Sequence, residues 1–547
     1  MHFASAVMSR RSAVRRAAFG RVFAVVATAA VLLTGAPQTA LAEVTAFKQA
    51  VAEGAARDET LSAYYRANDY EGIWTGTSDE ERLRRQALMQ AISDSAAHGL
   101  PAARYDAEGL MAMMRTARTP RDLGRIEIEM SKTFLRLARD MQTGLLIPSK
   151  VDSGIVRDVP YRTPSSYLNK FTNSNPRGFF RDLPPKSGEY ARLIREKTRL
   201  ERQISAGGWG PNVPAKALKP GQSGAAVVAL RNRLVSMGYL ERSASGVYDV
   251  KLQQAVQAFQ DAHGLDADGT AGSATIAEIN TPVQARLASI MVAMERERWL
   301  NMPRGQRHIL VNLTDFSARI FDNDKLTFET RAVIGKNVAS QRSPEFSDEM
   351  EYMEINPVWN VPRSITVKEY LPQMQRNRGA AGHLKLYNSR GQEVSRANVN
   401  FSAYNARNFP FDLKQPPSTR NALGLVKFMF PNPYNIYLHD TPSKSLFNRT
   451  TRAFSHGCIR LQQPFDFAYA LLAVQEDDPK AFFDARLKSG RQQQVKLDKK
   501  VPVHIIYRTA YTQAKGPTQY RADIYGRDAR IWDALQRAGV SLNSVQG

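Results

Sequence analysis

Cysteine is almost absent from this chain, because Cys458 is the only one in 547 residues. A single thiol cannot form an internal disulfide, which excludes the class of small exported domains held together by disulfides. It also excludes a zinc site built from several thiolates. His439 and His456 could complete a set of three ligands with Cys458, but no second cluster and no acidic ligand accompanies them. We therefore expect neither a metal nor a cofactor.

Long apolar runs are absent as well, except for one candidate near the amino terminus. Residues 1–42 carry five arginines and no acid, continue into the 12-residue apolar run from Val22 to Leu33, and end at Ala40-Leu41-Ala42. The run is too short to span a membrane comfortably, and the small residues suit a signal-peptide cleavage site. We expect export by a signal peptide covering residues 1–42. An uncleaved amino-terminal membrane anchor is the alternative.

Acidic residues are scarce relative to basic ones. The chain has 52 Asp and Glu against 75 Lys and Arg, which gives a formal net charge of +23. This balance favours an anionic partner, such as nucleic acid, a membrane surface or an acidic polymer. Export and the lack of a recognition motif argue against nucleic acid, so we expect no nucleic-acid partner. A solvated basic surface without a specific ligand is the alternative.

The amino-terminal half of the mature chain has a helical pattern. Residues 43–215 carry apolar residues at helical spacing, interrupted by short Gly- and Pro-containing turns. Residues 216–280 contain three further helix patterns, the first of which is closed by Gly238. Residues 281–305 predict a linking helix. No residue in these stretches carries a motif for chemistry.

The carboxyl-terminal half changes to a strand pattern. Short apolar strands and turns follow one another closely over residues 306–500, which is typical of a mostly antiparallel sandwich or barrel. An Arg-, Asn- and Gly-rich insertion at about 363–413 could cap the cleft of this domain. Residues 501–547 form a carboxyl-terminal extension. The fold class is therefore a multidomain α+β protein with a helical scaffold, a three-helix module and a β domain.

The residues around Cys458 favour a catalytic nucleophile over an inert buried thiol. A thiol needs a base or a positive environment to become a thiolate, and imidazole is the natural partner near neutral pH. His456 could share a strand face with Cys458, and His439 could approach the sulfur from the end of a neighbouring strand. Spacing alone leaves both histidines open as the base. Gly457 leaves room for backbone N–H groups to face a developing oxyanion.

This segment resembles the active-site signature of L,D-transpeptidases. The resemblance rests on Leu-His-Asp-Thr-Pro at residues 438–442 and on Ser-His-Gly-Cys at residues 455–458, separated by a loop of the family's usual length. It implies acyl transfer through a cysteine thioester. A serine nucleophile has no comparable support, since neither Gly-x-Ser-x-Gly nor Ser-x-x-Lys occurs in a convincing context.

The resemblance also implies a role for each matching residue. Cys458 corresponds to the nucleophile and His439 to the general base, oriented by the backbone carbonyl of Asp440. Further candidates fall into two groups. The oxyanion region would be shaped by Ser455, His456 and Gly457, and the substrate would contact Arg460, Tyr437, Trp359 and Tyr352.

The rest of the chain resembles the large periplasmic members of the same family. Tyr70 to Trp74 and His98 to Tyr105 are similar to their helical scaffold, and residues 216–280 are similar to a peptidoglycan-binding domain. The implied partners are peptidoglycan stem peptides, namely a tetrapeptide donor and the diaminopimelate amine of an acceptor, together with other cell-wall synthesis enzymes. The implied location is the periplasm of a Gram-negative-type cell.

Three alternatives to 3-3 cross-linking stay open. The same thioester could be resolved by water, which would make the protein a hydrolase, or by a lysine of an envelope protein, which would make it an anchoring enzyme. A non-catalytic cell-wall-binding scaffold is the third alternative. The resemblance also implies that carbapenems acylate Cys458.

Overall fold

The computed structural model describes residues 38–542. The predicted signal peptide therefore lies outside the described residues, apart from residues 38–42, which begin the first helix. No helix within 38–542 is long and apolar enough to cross a membrane. Cleavage and location stay predictions.

The amino-terminal region is a helical scaffold, as the apolar spacing predicted. Several of its helices begin at a defined cap: Ser78 and Glu81 form a capping box, as do Thr119 and Asp122. The scaffold helices are Gln38–Ala55, Glu59–Ala67, Asp79–Asp94, Ala107–Thr116, Pro120–Thr143, Pro148–Val151, Pro164–Thr172, Pro176–Arg181 and Gly188–Ser205. Short 3₁₀ turns occupy Ser95–His98 and Ala102–Tyr105.

A three-helix module with its own core follows the scaffold. Its helices are Ala225–Met237, Val250–Ala262 and Ser273–Ile279. Gly238 ends the first of them with a φ of +86°, a left-handed conformation that glycine adopts without strain. Leu230, Leu234 and Phe259 are buried in the module's core.

A buried linking helix, Val283–Trp299, joins the module to the β domain and is part of the scaffold core. Its Arg296 guanidinium donates hydrogen bonds to Glu345 at 2.6 Å and to Asp528 at 2.7 Å. Arg527 also donates to Glu345, at 3.2 Å. Both Arg296 and Arg527 are buried, so these ion pairs lock the carboxyl-terminal helix Arg527–Arg537 and the linking helix onto the β domain.

The β domain is a closed ring of eight strands. The ring strands are β1 (Arg307–Asn312), β2 (Ser317–Asp322), β3 (Lys325–Gly335), β4 (Phe346–Ile355), β9 (Val426–Met429), β10 (Leu438–His439), β12 (Ile459–Leu461) and β13 (Gln493–Ile506). The strands outside the ring are β5 (Trp359–Asn360), β6 (Lys385–Tyr387), β7 (Glu393–Val394), β8 (Asp412–Gln415), β11 (Ala453–Ser455), β14 (Ala510–Tyr511) and β15 (Gln519–Tyr520). Around the ring the order is β3-β12-β10-β9-β4-β13-β1-β2, and β2 pairs again with β3.

Most neighbours in the ring are antiparallel, which confirms the predicted fold class. The exceptions within the ring are the parallel pairs β1–β13 and β10–β12. Alternate side chains fill the interior, and Met353, Phe428, Leu438 and Ile459 have no exposed surface. Helices Pro464–Leu472 and Pro479–Lys488 pack outside the ring. Strand β13 continues past residue 500, so the β domain and the predicted extension share one strand.

The predicted insertion forms a separate small cap. Strands β5, β8, β6 and β7 make its sheet in that order. Its helical part comprises Arg363–Ile365, a π-helical turn at Thr366–Tyr370 and Leu371–Arg376. The cap has its own core, which includes Trp359, Leu371 and Phe409.

Candidate active site

The parallel pairing of β10 with β12 brings the two segments of the signature together. Leu438 is opposite Ile459, and His439 is opposite Arg460. The Ile459 amide donates to the Tyr437 carbonyl at 3.1 Å, which extends the pairing by one residue. Because strand side chains alternate between faces, Cys458, Tyr437, His439 and Arg460 share the outer face of the ring. Leu438 and Ile459 point into the core.

Cys458 lies half-buried on this face with its Sγ 3.4 Å from the backbone carbonyl oxygen of Asn435. Burial raises the pKa of the Cys458 thiol above its usual range, while hydrogen bonding to Tyr437 and the charges of Lys427 and Arg460 oppose that rise. The resting side chain is therefore a neutral thiol. A carbonyl can only accept, so the thiol proton points towards Asn435.

His439 is buried, with 4% of its surface exposed. Its Nδ1 forms a short hydrogen bond with the Asp440 carbonyl. Since that oxygen can only accept, Nδ1 carries the proton and Nε2 is the basic nitrogen of the ring. The backbone of Leu423 also interacts with this imidazole. Burial, and next the Arg460 charge, lower the pKa of His439 to about 3. His439 is therefore a neutral base at physiological pH.

Asp440 uses its side chain for structure and its carbonyl for the histidine. One carboxylate oxygen accepts from the Leu425 amide at 2.9 Å, and the other accepts from the Thr441 amide at 2.7 Å and from Lys444 at 2.6 Å. These bonds fix the backbone that orients His439. The carboxylate is bound to other groups and does not act on the imidazole.

The turn from Ser455 to Cys458 is held by its own hydrogen bonds. Ser455 Oγ donates to the Cys458 carbonyl at 2.5 Å and accepts from the Gly457 amide at 3.1 Å. Gly457 has a φ of +120°, and a Cβ there would meet Ile436 Cδ1 at 3.2 Å. Only glycine therefore fits this position without strain. Ser455 and Gly457 therefore shape the turn, and their role at the oxyanion stays a prediction.

Ser343 also holds this turn, although no motif in the sequence distinguishes it. Its Oγ donates to the Gly457 carbonyl at 2.6 Å and accepts from the Gly335 amide at 3.0 Å. Tyr525 braces the same place, because its hydroxyl donates to the Gly335 carbonyl at 2.5 Å. Arg527 donates to the Ser343 carbonyl at 3.0 Å. The turn from Ser455 to Cys458, which we call the nucleophile turn after the predicted role of Cys458, is thus tied to the carboxyl-terminal segment.

His456 points to the cap. Its Nε2 lies 2.6 Å from Glu369 Oε1, in the π-helical turn of the insertion. Within residues 38–542, no other hydrogen bond joins 363–413 to the ring. The imidazole of His456 is therefore occupied by Glu369. His439 stays the predicted base.

The remaining predicted substrate residues are spread across the outer face and the cap. Arg460 makes no ion pair within the described part of the chain, and its Nε is buried without a hydrogen-bond partner. Tyr437 packs between the ring core and the cap core. Trp359 is buried in the cap, with its ring 6.3 Å from that of Tyr370. Tyr352 is opposite Met429, on the same face as the site.

Two charged residues that the sequence analysis missed lie on this face. Lys427 is opposite both His439 and Glu354, and its Nζ is 3.5 Å from the Glu354 carboxylate. The Lys427 ammonium also lies over the Tyr437 ring, 4.6 Å from its centroid. The alternation in β9 was the available signal, since Lys427 is a lone cation between buried strand residues.

Residues 38–542 contain no cluster of three or more metal-ligating side chains.

Comparison with protein families matches three parts of the chain. Residues 306–504 match the L,D-transpeptidase catalytic domain, residues 59–196 match a scaffold domain, and residues 223–279 match the family described as "Putative peptidoglycan binding domain". The chain is 28% identical over 254 residues to a "Putative L,D-transpeptidase" of Haemophilus influenzae. That alignment covers 45% of this chain and 51% of the relative, so the chain spans about half of the relative's length.

Two solved structures also match. One is an L,D-transpeptidase from Xylanimonas cellulosilytica, at 17% identity over 54% of this chain and 100% of that one, with a TM-score of 0.16. The other is an L,D-transpeptidase from Stackebrandtia nassauensis, at 16% identity over 54% and 97%, with a TM-score of 0.21. The assignment therefore rests on the family matches and the relative: this chain carries an L,D-transpeptidase catalytic domain, together with a scaffold domain and a peptidoglycan-binding domain.

Proposed function

We propose that this protein is a periplasmic L,D-transpeptidase that forms 3-3 cross-links between peptidoglycan stem peptides. The observation that supports this most strongly is the shared strand face of Cys458 and His439, together with the Nδ1 hydrogen bond that makes Nε2 the basic nitrogen of the buried His439. A thiol and an imidazole that are both neutral at rest suit a nucleophile activated only when a substrate carbonyl arrives.

In the first half-reaction, Cys458 Sγ attacks the carbonyl of the amide that precedes the terminal D-Ala of a tetrapeptide stem. The thiol proton passes to His439 Nε2 as the sulfur–carbon bond forms. When the tetrahedral intermediate collapses, the carbon–nitrogen bond breaks, the imidazolium returns the proton to the departing amine, and D-Ala leaves. The product on the protein is a thioester.

In the second half-reaction, the side-chain amine of diaminopimelate on another stem attacks the thioester. His439 takes a proton from the amine and delivers it to the departing sulfur, which restores the thiol. The new amide joins the third residues of two stems. The Cys458 backbone N–H is the candidate donor to the oxyanion in both steps, because the Gly457 N–H already donates to Ser455 Oγ.

Arg460 is the candidate residue for substrate carboxylates. Its guanidinium lies beside the thiol, has no carboxylate partner among the described residues, and keeps a buried Nε without a hydrogen bond. Burying an unpaired guanidinium is costly, which favours an anionic ligand at this position. Stem peptides carry such carboxylates. Lys427 adds positive charge to the same face.

Carbapenem acylation tests the nucleophile. Cys458 Sγ would attack the β-lactam carbonyl, the ring carbon–nitrogen bond would break, and the thiol proton would move to the ring nitrogen. Intact-mass spectrometry should therefore show one adduct of the full carbapenem mass on the purified chain. Cys458→Ala should show none. An adduct on Cys458→Ala would overturn the assignment.

Incubation with disaccharide-tetrapeptide tests the reaction itself. We expect cross-linked dimers and free D-Ala by mass spectrometry. Tripeptide without dimer would instead indicate a hydrolase. Stem peptides attached to lysines of an added envelope protein would indicate an anchoring enzyme, and an unreacted substrate would leave the scaffold alternative.

A further inference from the structure

One large cavity of the described chain lies away from the cysteine. It has a volume of about 1220 Å³ and lies between the three-helix module, the linking helix, the ring and the carboxyl-terminal segment. Neither Cys458 nor His439 lines it. Its volume exceeds that of ordinary small-molecule sites, which are roughly 300–1,000 Å³. The space could take a portion of an extended polymer.

The walls of this interdomain cleft are fixed by contacts between the module and its neighbours. Thr450 Oγ1 donates to Asp266 of the module at 3.0 Å. Arg521 donates to the Ala262 carbonyl at 2.8 Å. The His263 ring stacks on Tyr520 at 5.3 Å between centroids. The module is therefore docked at three points, and the cleft is a feature of the assembled chain.

The wall that the ring contributes is cationic. Arg331, Arg449 and Arg452 line it, and none of them has a carboxylate partner among the described residues. Arg452 is held by backbone carbonyls, including those of Ala332 at 3.2 Å and Asp315 at 3.2 Å. Burial, and next the charge of Arg331, lower the pKa of Arg452 to about 10. Asp315 and Glu329 line the same wall, but both pair with Arg319, so the wall keeps an excess of positive charge.

The wall that the module contributes has the opposite sign. Asp261 and Asp266 line it, and neither is paired with a cation in the described chain. Trp532 and Phe316 add aromatic surface. A polyphosphate would be repelled by the acidic wall, and a purely cationic ligand by the arginines. A ligand with both carboxylates and an amine, attached to a sugar, fits both walls.

We propose that this interdomain cleft is a second binding site, which holds a peptidoglycan strand through the carboxylates and amine of its stem peptides. The proposal rests on the proposed function, because it takes the same polymer as ligand. The arginine-bearing segment 449–452 leads directly into β11 and the nucleophile turn. A peptidoglycan strand held in the cleft is therefore fixed relative to Cys458, which would raise the effective concentration of its stem peptides at the thiol.

The test measures binding of disaccharide-tetrapeptide to the full chain carrying Cys458→Ala, so that no turnover occurs. The test variant adds Arg331→Glu and Arg449→Glu, two exposed arginines of the cleft. The matched control instead adds Arg57→Glu and Arg195→Glu, two exposed arginines outside it that change the net charge equally. Thermal melting of each chain checks that it is folded.

We expect the cleft variant to bind at least roughly tenfold more weakly, with the control pair close to the parent. Equal weakening in both pairs would mean that general basicity carries the binding, and would overturn the proposal. So would unchanged binding in the cleft variant, or a parent that does not bind the fragment. Tighter binding of a polyphosphate than of the fragment would overturn the ligand class. Carbapenem acylation of the unmodified chain, measured alongside, separates failure of the cleft from failure of the nucleophile.

Discussion

Replacing Ser343 by Ala should slow acylation of Cys458, although Ser343 does not touch the sulfur. The hydroxyl is buried and makes two hydrogen bonds, one to the Gly457 carbonyl and one from the Gly335 amide. The substitution leaves both backbone groups buried and unpaired, at a cost of about 1–3 kcal/mol each. The cost falls on the residue whose backbone leads into the nucleophile.

The magnitude can be worked from these two bonds. In Ser343→Ala, the substrate complex would have to restore the native geometry of the turn before acylation. If this costs about 1.4–2.8 kcal/mol of activation free energy, acylation slows about 10- to 100-fold. The same loss should lower the melting temperature of the catalytic domain by about 5 °C. The assay is the rate of carbapenem adduct formation by intact mass, at saturating and at limiting drug.

Ser95→Ala is the matched control, because it separates stability from positioning. Ser95 is equally buried and donates to the Ile92 carbonyl at 2.7 Å, but it lies in the scaffold. The Ser95→Ala variant should lower the melting temperature by a similar amount and leave the acylation rate unchanged. If Ser343→Ala acylates as fast as Ser95→Ala, then Ser343 only stabilises the fold and the reasoning is refuted.

Three other perturbations follow from the site and the core. Glu369→Ala should free the cap, so that hydrogen exchange rises over residues 366–376 and the thioester partitions further towards hydrolysis; Glu393→Ala, which loses only an exposed pair with Lys385 on the same cap, should do neither. Alkylation of Cys458 by iodoacetamide should keep accelerating above pH 9, because burial raises the thiol pKa, and a plateau near pH 7 would contradict this. Unfolding should become easier as the pH falls from about 6.5 towards 4, because burial lowers the pKa of four histidines, so that the unfolded state binds more protons in this range. Chemical denaturation at each pH measures this, and a flat profile would argue against it. The four residues and their pKa values are His98 at about 4, His263 at about 3, His439 at about 3 and His504 at about 4.

The sequence was most informative where a local pattern decides the structure. Helical spacing predicted the scaffold and the three-helix module, and the close strands predicted the β domain. The segment from Tyr434 to His439 reads as one strand, but only Leu438–His439 pairs as such. Asn435 has a φ of +54°, and the Asn432 side chain accepts from the Tyr434 and Ile436 amides, so a turn replaces the first part of the strand. Local side-chain bonding outweighed apolar alternation there.

Residues that act through long-range contacts were not predictable from the sequence. Ser343 is 114 residues from the carbonyl it bonds, and Glu369 is 87 residues from His456. Nothing in the neighbourhood of either residue differs from an ordinary loop or helix. The pairing of β3 with β11 and β12 brings Gly335, and Ser343 in the loop after it, to the nucleophile turn. Ser343 and Glu369 can therefore be recognised as supporting residues of the site only from the topology of the fold.

The neutral resting state of the site suits the single cysteine of a chain that we propose is exported. A permanently ionised thiolate would react with oxidants and with other thiols outside the cytoplasm, and this chain has no second cysteine that could resolve the damage within the molecule. Burial raises the pKa of Cys458 and lowers that of His439, so in the proposed mechanism the nucleophile forms only with a carbonyl in place. The cap closes over the same face through His456 and Glu369. Protection of the thiol before acylation and exclusion of water after it therefore depend on the same burial.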